Sequence, residues 1–287
     1  MVWLLLLKKF VLMQLKTVQV VILQVKRMMK ILGNFQVFGF NGLGLSIKLG
    51  RAFLFVLVFL NSYAQVSSNK LNAKDYKSFL LGKFNPDTCS NFVKVPLIYT
   101  QKDGIYLQKD AFVAFKRMFE AAKSDRIHLT ILSSTRNFTY QKGIWERKWN
   151  SAGCASFKPG KDRANHIMKY SAMPGASRHH WGTDIDLNFL NNQSLSEGKG
   201  KLVYDWLKLN AGRFGFCQVY SVKDSNRPAG YEEEKWHWSF LPLAKGYTSD
   251  YGKIVKPDDI NGFLGCESFM ELSVVSNYVL GINPDCK

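Results

Sequence analysis

Ser177-Arg178-His179-His180-Trp181-Gly182-Thr183-Asp184-Ile185-Asp186 and the later Glu234-Lys235-Trp236-His237-Trp238 decide how this chain of 287 residues is read. Between them they offer imidazoles and carboxylates suited to zinc, which in catalytic sites takes three protein donors and keeps a position for water. Two imidazoles and one carboxylate complete such a set. Glu234, three residues before His237, adds a second carboxylate with the chemistry of a base. The inventory is that of a zinc hydrolase.

His179 and Asp186 are seven residues apart, too far for one helical turn and awkward along one continuous strand. Gly182 between them permits a tight turn. Asp184-Ile185-Asp186-Leu187-Asn188 then alternates polar and apolar, the period of a half-buried strand. A histidine in the approach loop and an aspartate on the strand therefore converge. Asp184 and Asp186 share a strand face by parity, and alternation alone does not choose between them. His180 competes with His179 in the same way. Lys235-Trp236-His237-Trp238-Ser239-Phe240 places Trp236, Trp238 and Phe240 on one strand face and His237 on the other. The aromatic face belongs to a core, and the opposite face carries His237 into a cleft. His128 and His166 show no partner pattern, and the cysteines lack the Cys-x-x-Cys spacing of a thiolate zinc site.

Ser-x-His-x-x-Gly-x-x-x-Asp (Ser177 to Asp186) followed by Glu-x-Trp-His (Glu234 to His237) resembles the VanY-type D-alanyl-D-alanine carboxypeptidases of the LAS group of zinc peptidases. The resemblance runs from Leu71 to Tyr247. It implies Zn2+ held by His179, Asp186 and His237, with Glu234 as general base. Upstream, Ser133-Ser134-Thr135-Arg136-Asn137-Phe138-Thr139-Tyr140-Gln141 fits the family's arginine turn and its following glutamine. By that match Arg136 stabilises the oxyanion and Gln141 supports the site. Ser177, Gln141 and Trp238 are the expected substrate contacts. The implied reaction removes the terminal D-Ala of a peptidoglycan stem peptide. An endopeptidase or dipeptidase on the same scaffold, or a non-catalytic cell-wall-binding module, are the alternatives. Asp184 is a departure, because that position is often small or apolar in the family. It is either a competing ligand or a partner that orients an imidazole.

The front of the chain has another character. Eight Lys or Arg and no Asp or Glu fall in residues 1–64. The apolar run 52–60 follows Lys48 and Arg51 and leads to Ser62-Tyr63-Ala64, which reads as a secretory signal peptide cleaved after Ala64. Its apolar core is too short for a membrane span, so none is expected in the mature chain. Within the basic, aliphatic stretch 1–30 the true start is read as Met28 or Met29, with a basic membrane-associating helix as the competing view. The expected organisation is an extension and signal peptide over 1–64, a zinc peptidase domain over 65–250, and a helical tail over 251–287 packed on it. Export to the periplasm or cell envelope follows.

Loss of residues 1–64 leaves +9 of the formal charge of +17, spread over residues such as Lys142, Arg147, Lys148, Lys161 and Arg163. That excess suits a polyanionic wall. No recognition helix, finger or RNP-like pattern points to nucleic acid. Helices are expected over 110–123, 140–149, 202–210 and 268–280, a strand over 127–133, and a substrate-lip loop over 150–171. Without regular alternation of strands and helices, the fold class is α+β, a small central antiparallel sheet flanked by helices with the zinc site in a cleft on it. Of five cysteines, Cys266 with Cys286 is the expected disulfide, and Cys89 with Cys154 a weaker pair.

Overall fold

In the computed structural model, which describes residues 73–287, helix α1 (Ala73–Leu80) precedes an antiparallel pair, β1 (Phe92–Lys94) and β2 (Tyr106–Gln108). The signal peptide and the choice of start lie outside the described residues. Helix α2 (Lys109–Ser124) buries Phe112, Phe115, Met118, Phe119 and Ala122, the residues that recur at helical spacing. Strand β3 (Ile131–Ser133) leads into helix α3 (Phe138–Trp149), where the Asn137 side chain caps the first turn by accepting from the Tyr140 N–H at 2.8 Å. The segment expected as a lip loop instead holds a helical turn (Ala152–Ala155) and helix α4 (Lys161–Ile167). Its Cys154, Ala164 and Ile167 have apolar neighbours to bury against, which an open loop would not provide.

The central sheet has four strands in the order β3-β4-β6-β5, all antiparallel, with β4 at Asp184–Leu187, β5 at Phe216–Gln218 and β6 at His237–Phe240. Helix α5 (Gly198–Asn210) leads toward β5, and helix α6 (Leu241–Ile254) follows β6. Strand β4 is buried on both faces. Ile185 and Leu187 join Trp238, Phe240 and the apolar sides of α2 and α5 in one core. Its polar face looks into the molecule as well, toward a second core built around Trp145, Trp181 and Tyr251. The sheet therefore supplies core residues on one side and carries Asp184, Asp186 and His237 on the other.

Residues from Leu71 onward form one compact unit. Within it the tail is core material: Val255, Ile260, Phe263, Phe269 and Tyr278 lie in the same cluster as Trp145. The expected helix over 268–280 is broken. Its α-helical part ends at Glu271, Ser273 takes a left-handed φ of 51°, and a wider turn over Val275–Val279 follows. The disulfide joins Cys217 to Cys286, with Cα atoms 5.8 Å apart, and Cys89, Cys154 and Cys266 are free thiols. The reason is the return path of the tail: Asn283 donates its backbone N–H to Val219 O and its side-chain amide to Gln218 O, which sets Cys286 beside β5. Among the described residues no helix is long and apolar enough to cross a membrane.

Candidate active site

Cross-strand register builds the centre. Asp186 pairs with His237 and Asp184 with Ser239 between β4 and β6, so all four side chains share one sheet face. His179 comes from a short 3-10 turn, Arg178–Trp181, that ends at Gly182 with φ 69°. A side chain at Gly182 would place its Cβ 2.3 Å from the Phe92 ring, so the turn requires glycine both for conformation and for space. The turn brings His179 Nε2 to 3.3 Å from Asp186 Oδ1, which also lies 3.2 Å from His237 Nδ1. One donor atom from each of the three buried side chains lies within 4.8 Å of the others.

The remaining ring nitrogens are spoken for. His179 Nδ1 donates to Ser134 O at 2.7 Å, which turns Nε2 toward the cluster. His237 Nε2 donates to Asp184 Oδ1 at 2.9 Å, which leaves Nδ1 facing Asp186. Hydrogen bonds of this kind fix tautomer and ring orientation around a metal. Two atoms of the cluster, His179 Nε2 and Asp186 Oδ1, are buried with no hydrogen-bond partner. Orphaned buried donor atoms that converge on one point fit a cation, since burial without a partner costs each of them free energy. The residues present suit zinc.

Electrostatics points the same way. Burial, with a smaller push from Arg136, lowers the His179 pKa and keeps that imidazole neutral. For His237 burial also favours the neutral ring, but Asp184, Asp186 and Glu234 outweigh it and hold the pKa well above the usual value. The same three carboxylates would favour a metal cation in place of that proton. Burial pushes the Asp186 pKa up, and the neighbouring imidazoles more than offset this and hold it well below the usual range. Glu234 is different: burial raises its pKa, with only partial relief from His237, whose Nδ1 lies 3.4 Å from Glu234 Oε2. It is a carboxylate at the edge of the cluster with a raised affinity for a proton.

His180 does not reach the cluster. Its Nδ1 donates to Arg136 O at 2.5 Å, its Nε2 accepts from the Gly175 N–H at 3.0 Å, and burial lowers its pKa to about 3. It ties the histidine turn to the arginine turn instead. Arg136 follows β3, with Nη1 2.8 Å from Ser133 Oγ and 3.5 Å from Asp186 Oδ2. Asp184 lies behind His237, where its Oδ1 also accepts from Arg178 Nε at 3.2 Å and its Oδ2 from Ser239 at 3.0 Å.

A cavity of about 560 Å³ opens on the centre, lined by His179, Asp186, Glu234, Arg136 and Gln141. Gln141 donates its amide to Ala172 O at 2.8 Å and keeps Oε1 unpartnered. Ser177 and Trp238 do not line this cavity. Ser177 is buried, its carbonyl accepting from the His180 N–H, and Trp238 lies in the core with Nε1 donating to Lys235 O. Trp236 lines the wall instead, together with Lys148, Tyr170, Ser171 and Asn192. One signal for this wall is present in the sequence: Gln141, Ile144 and Lys148 recur at the spacing of a single helix face.

This donor set, two imidazoles and a carboxylate on an antiparallel sheet, could hold a metal ion. Residues 104–243 match the family model of VanY, D-alanyl-D-alanine carboxypeptidase. YodJ of Bacillus subtilis (strain 168) is 31% identical over 138 residues, 47% of this chain. A D-alanyl-D-alanine carboxypeptidase of Enterococcus faecalis (strain ATCC 700802 / V583) is 28% identical over 126 residues, 44% of this chain. The chain spans a little under half the length of these relatives, 46% and 45%. Among solved structures, the LdcB LD-carboxypeptidase is 25% identical, with a TM-score of 0.45 over 61% of this chain and 81% of its own. The VanY D,D-pentapeptidase of the VanB-type cassette, in complex with Zn(II), is 22% identical, with a TM-score of 0.42 over 62% and 93%.

Proposed function

We propose that this chain is a zinc-dependent D-alanyl-D-alanine carboxypeptidase, exported to the cell envelope, that removes the terminal D-Ala of peptidoglycan stem peptides. The observation that carries the reading is the buried His179–Asp186–His237 set, with two orphaned donor atoms, facing a cavity that also holds Glu234 and Arg136. His179 Nε2, Asp186 Oδ1 and His237 Nδ1 would hold the zinc. Bound zinc supplies Lewis acidity and makes water acidic enough to attack at neutral pH.

The chain's own groups do the rest. Glu234, whose burial raises its proton affinity, takes the proton of the attacking water and delivers it to the departing amine. Arg136, fixed by Ser133 Oγ and Asp186, donates to the oxygen that becomes negative when the scissile carbonyl is attacked. A preorganised donor of this kind is worth about 3–4 kcal/mol of barrier. Gln141 offers its free Oε1 to a substrate N–H in the same cavity. An intact base and oxyanion donor have no purpose in a wall-binding module.

The test is mass spectrometry of a synthetic stem pentapeptide ending in D-Ala-D-Ala, incubated with the zinc-supplemented protein and with Glu234→Gln. Loss of one alanine is expected with the wild type. The variant is expected to retain zinc and to lose at least about a hundredfold in rate. Cleavage at another bond would move the assignment to an endopeptidase or dipeptidase. Near-normal turnover by Glu234→Gln would remove Glu234 from the reaction.

A further inference from the structure

A carboxypeptidase differs from an endopeptidase in what it must recognise: a free carboxylate next to the scissile bond. That anion needs a cation or several convergent donors, already desolvated, on the cavity wall. Two cationic side chains line this cavity, Arg136 and Lys148. Arg136 is engaged by Asp186 and Ser133. Lys148 lies two turns along α3 from Gln141, on the same face of the helix.

That face docks on one short segment. Gln141 donates to Ala172 O, and the Lys148 ammonium donates to the hydroxyl of the preceding residue, Ser171. Although Lys148 as a residue is exposed, loss of water around its ammonium lowers its pKa, and the charges of Glu234 and Arg136 act on it there. Some lysines find carboxylates, as Lys142 does with Glu146, Lys161 with Glu271 and Lys94 with Asp103. Among the described residues Lys148 forms no ion pair. Ser171 is mostly buried, and because its oxygen accepts from Lys148 its own O–H remains free to donate. An ammonium and a hydroxyl thus converge on the cavity with donors to spare and no carboxylate in ion-pair contact with them.

We propose that Lys148 and Ser171 form the clamp for the free C-terminal carboxylate of the substrate, and so determine that this site trims chain ends rather than cutting internal bonds. The inference rests on the peptidase reading given above. A clamp that holds the carboxylate equally in ground and transition states affects KM more than kcat.

The experiment compares a stem peptide ending in free D-Ala-D-Ala with the same peptide as its C-terminal amide. It uses the full zinc-supplemented chain and its Lys148→Met, Lys148→Arg and Ser171→Ala variants. Kinetics are read by alanine or alaninamide release, and binding of both peptides by calorimetry. The expected result is a rise in KM for the acid of about ten- to a hundredfold in Lys148→Met, with kcat little changed. Lys148→Arg should recover most of the loss, Ser171→Ala should show a smaller one, and the amide should be indifferent to all three. An unchanged KM for the acid, or equal losses for acid and amide, overturns the clamp. Wild-type protein that cleaves neither peptide defeats the peptidase reading, and the calorimetry then decides separately. Tighter binding of acid than amide, abolished by Lys148→Met, supports the clamp; equal binding of the two overturns it.

Discussion

Asp184 shows what a single buried residue does at this site. It stands between Arg178 and His237, accepting from the guanidinium on one side and from the ring Nε2 on the other. Arg178 is further held by Thr248 and Ser239 and lies over the Trp181 ring. The carboxylate therefore orients an imidazole and, with both oxygens already occupied, is not free to take a metal ion itself. Asp184→Asn is expected to weaken zinc binding by about ten- to a hundredfold, measured by competition with a chromophoric chelator on protein shown to be folded. Zinc affinity equal to wild type would contradict that role. Parity along the strand already put Asp184 on the site face. Its partners were not legible, since His237 comes from another strand and nothing local marks Arg178 as buried. Trp236 was legible only in part for a related reason: alternation puts it in the core with Trp238, where it lies, but it stands just before β6 begins and also lines the cavity.

At the level of elements, the pairing of β4 with β6 matters most. A slip of one residue would turn Asp186 and His237 into the apolar core and Ile185 and Trp238 into the cavity, so the hydrophobic pattern locks the register that assembles the site. That pattern was visible in the sequence, as were the apolar face of α2 and the span of α3. The cysteine pairing was not. Cys266 is near Cys286 in sequence, yet the tail crosses the second core before reaching β5, where Cys217 waits. The break at Ser273 escaped notice because apolar residues continue on both sides of it. The Cys217–Cys286 bond closes a sequence separation of 69 residues. Removing it by Cys286→Ser should cost about 2–5 kcal/mol of stability, seen in chemical denaturation as a lower midpoint. An unchanged midpoint would show that the tail holds to β5 without the bond.

Across the whole described molecule, two apolar cores meet at one polar layer. Helices α2 and α5 cover one side of the sheet, and α3 with the tail builds the other. Between them the fold confines Asp184, Asp186, Glu234, His179 and His237 in a volume from which water is largely excluded. So many buried ionisable groups are costly unless a charge of opposite sign joins them. That is why a bound cation is central to this account. The most direct measurement is metal content together with D-Ala release from a D-Ala-D-Ala pentapeptide, before chelation, after it, and after zinc is restored. The account predicts one zinc per chain, loss of D-Ala release with the metal, and its recovery with zinc. Release at full rate from metal-free protein, or a chain that folds but takes up no zinc, would contradict it.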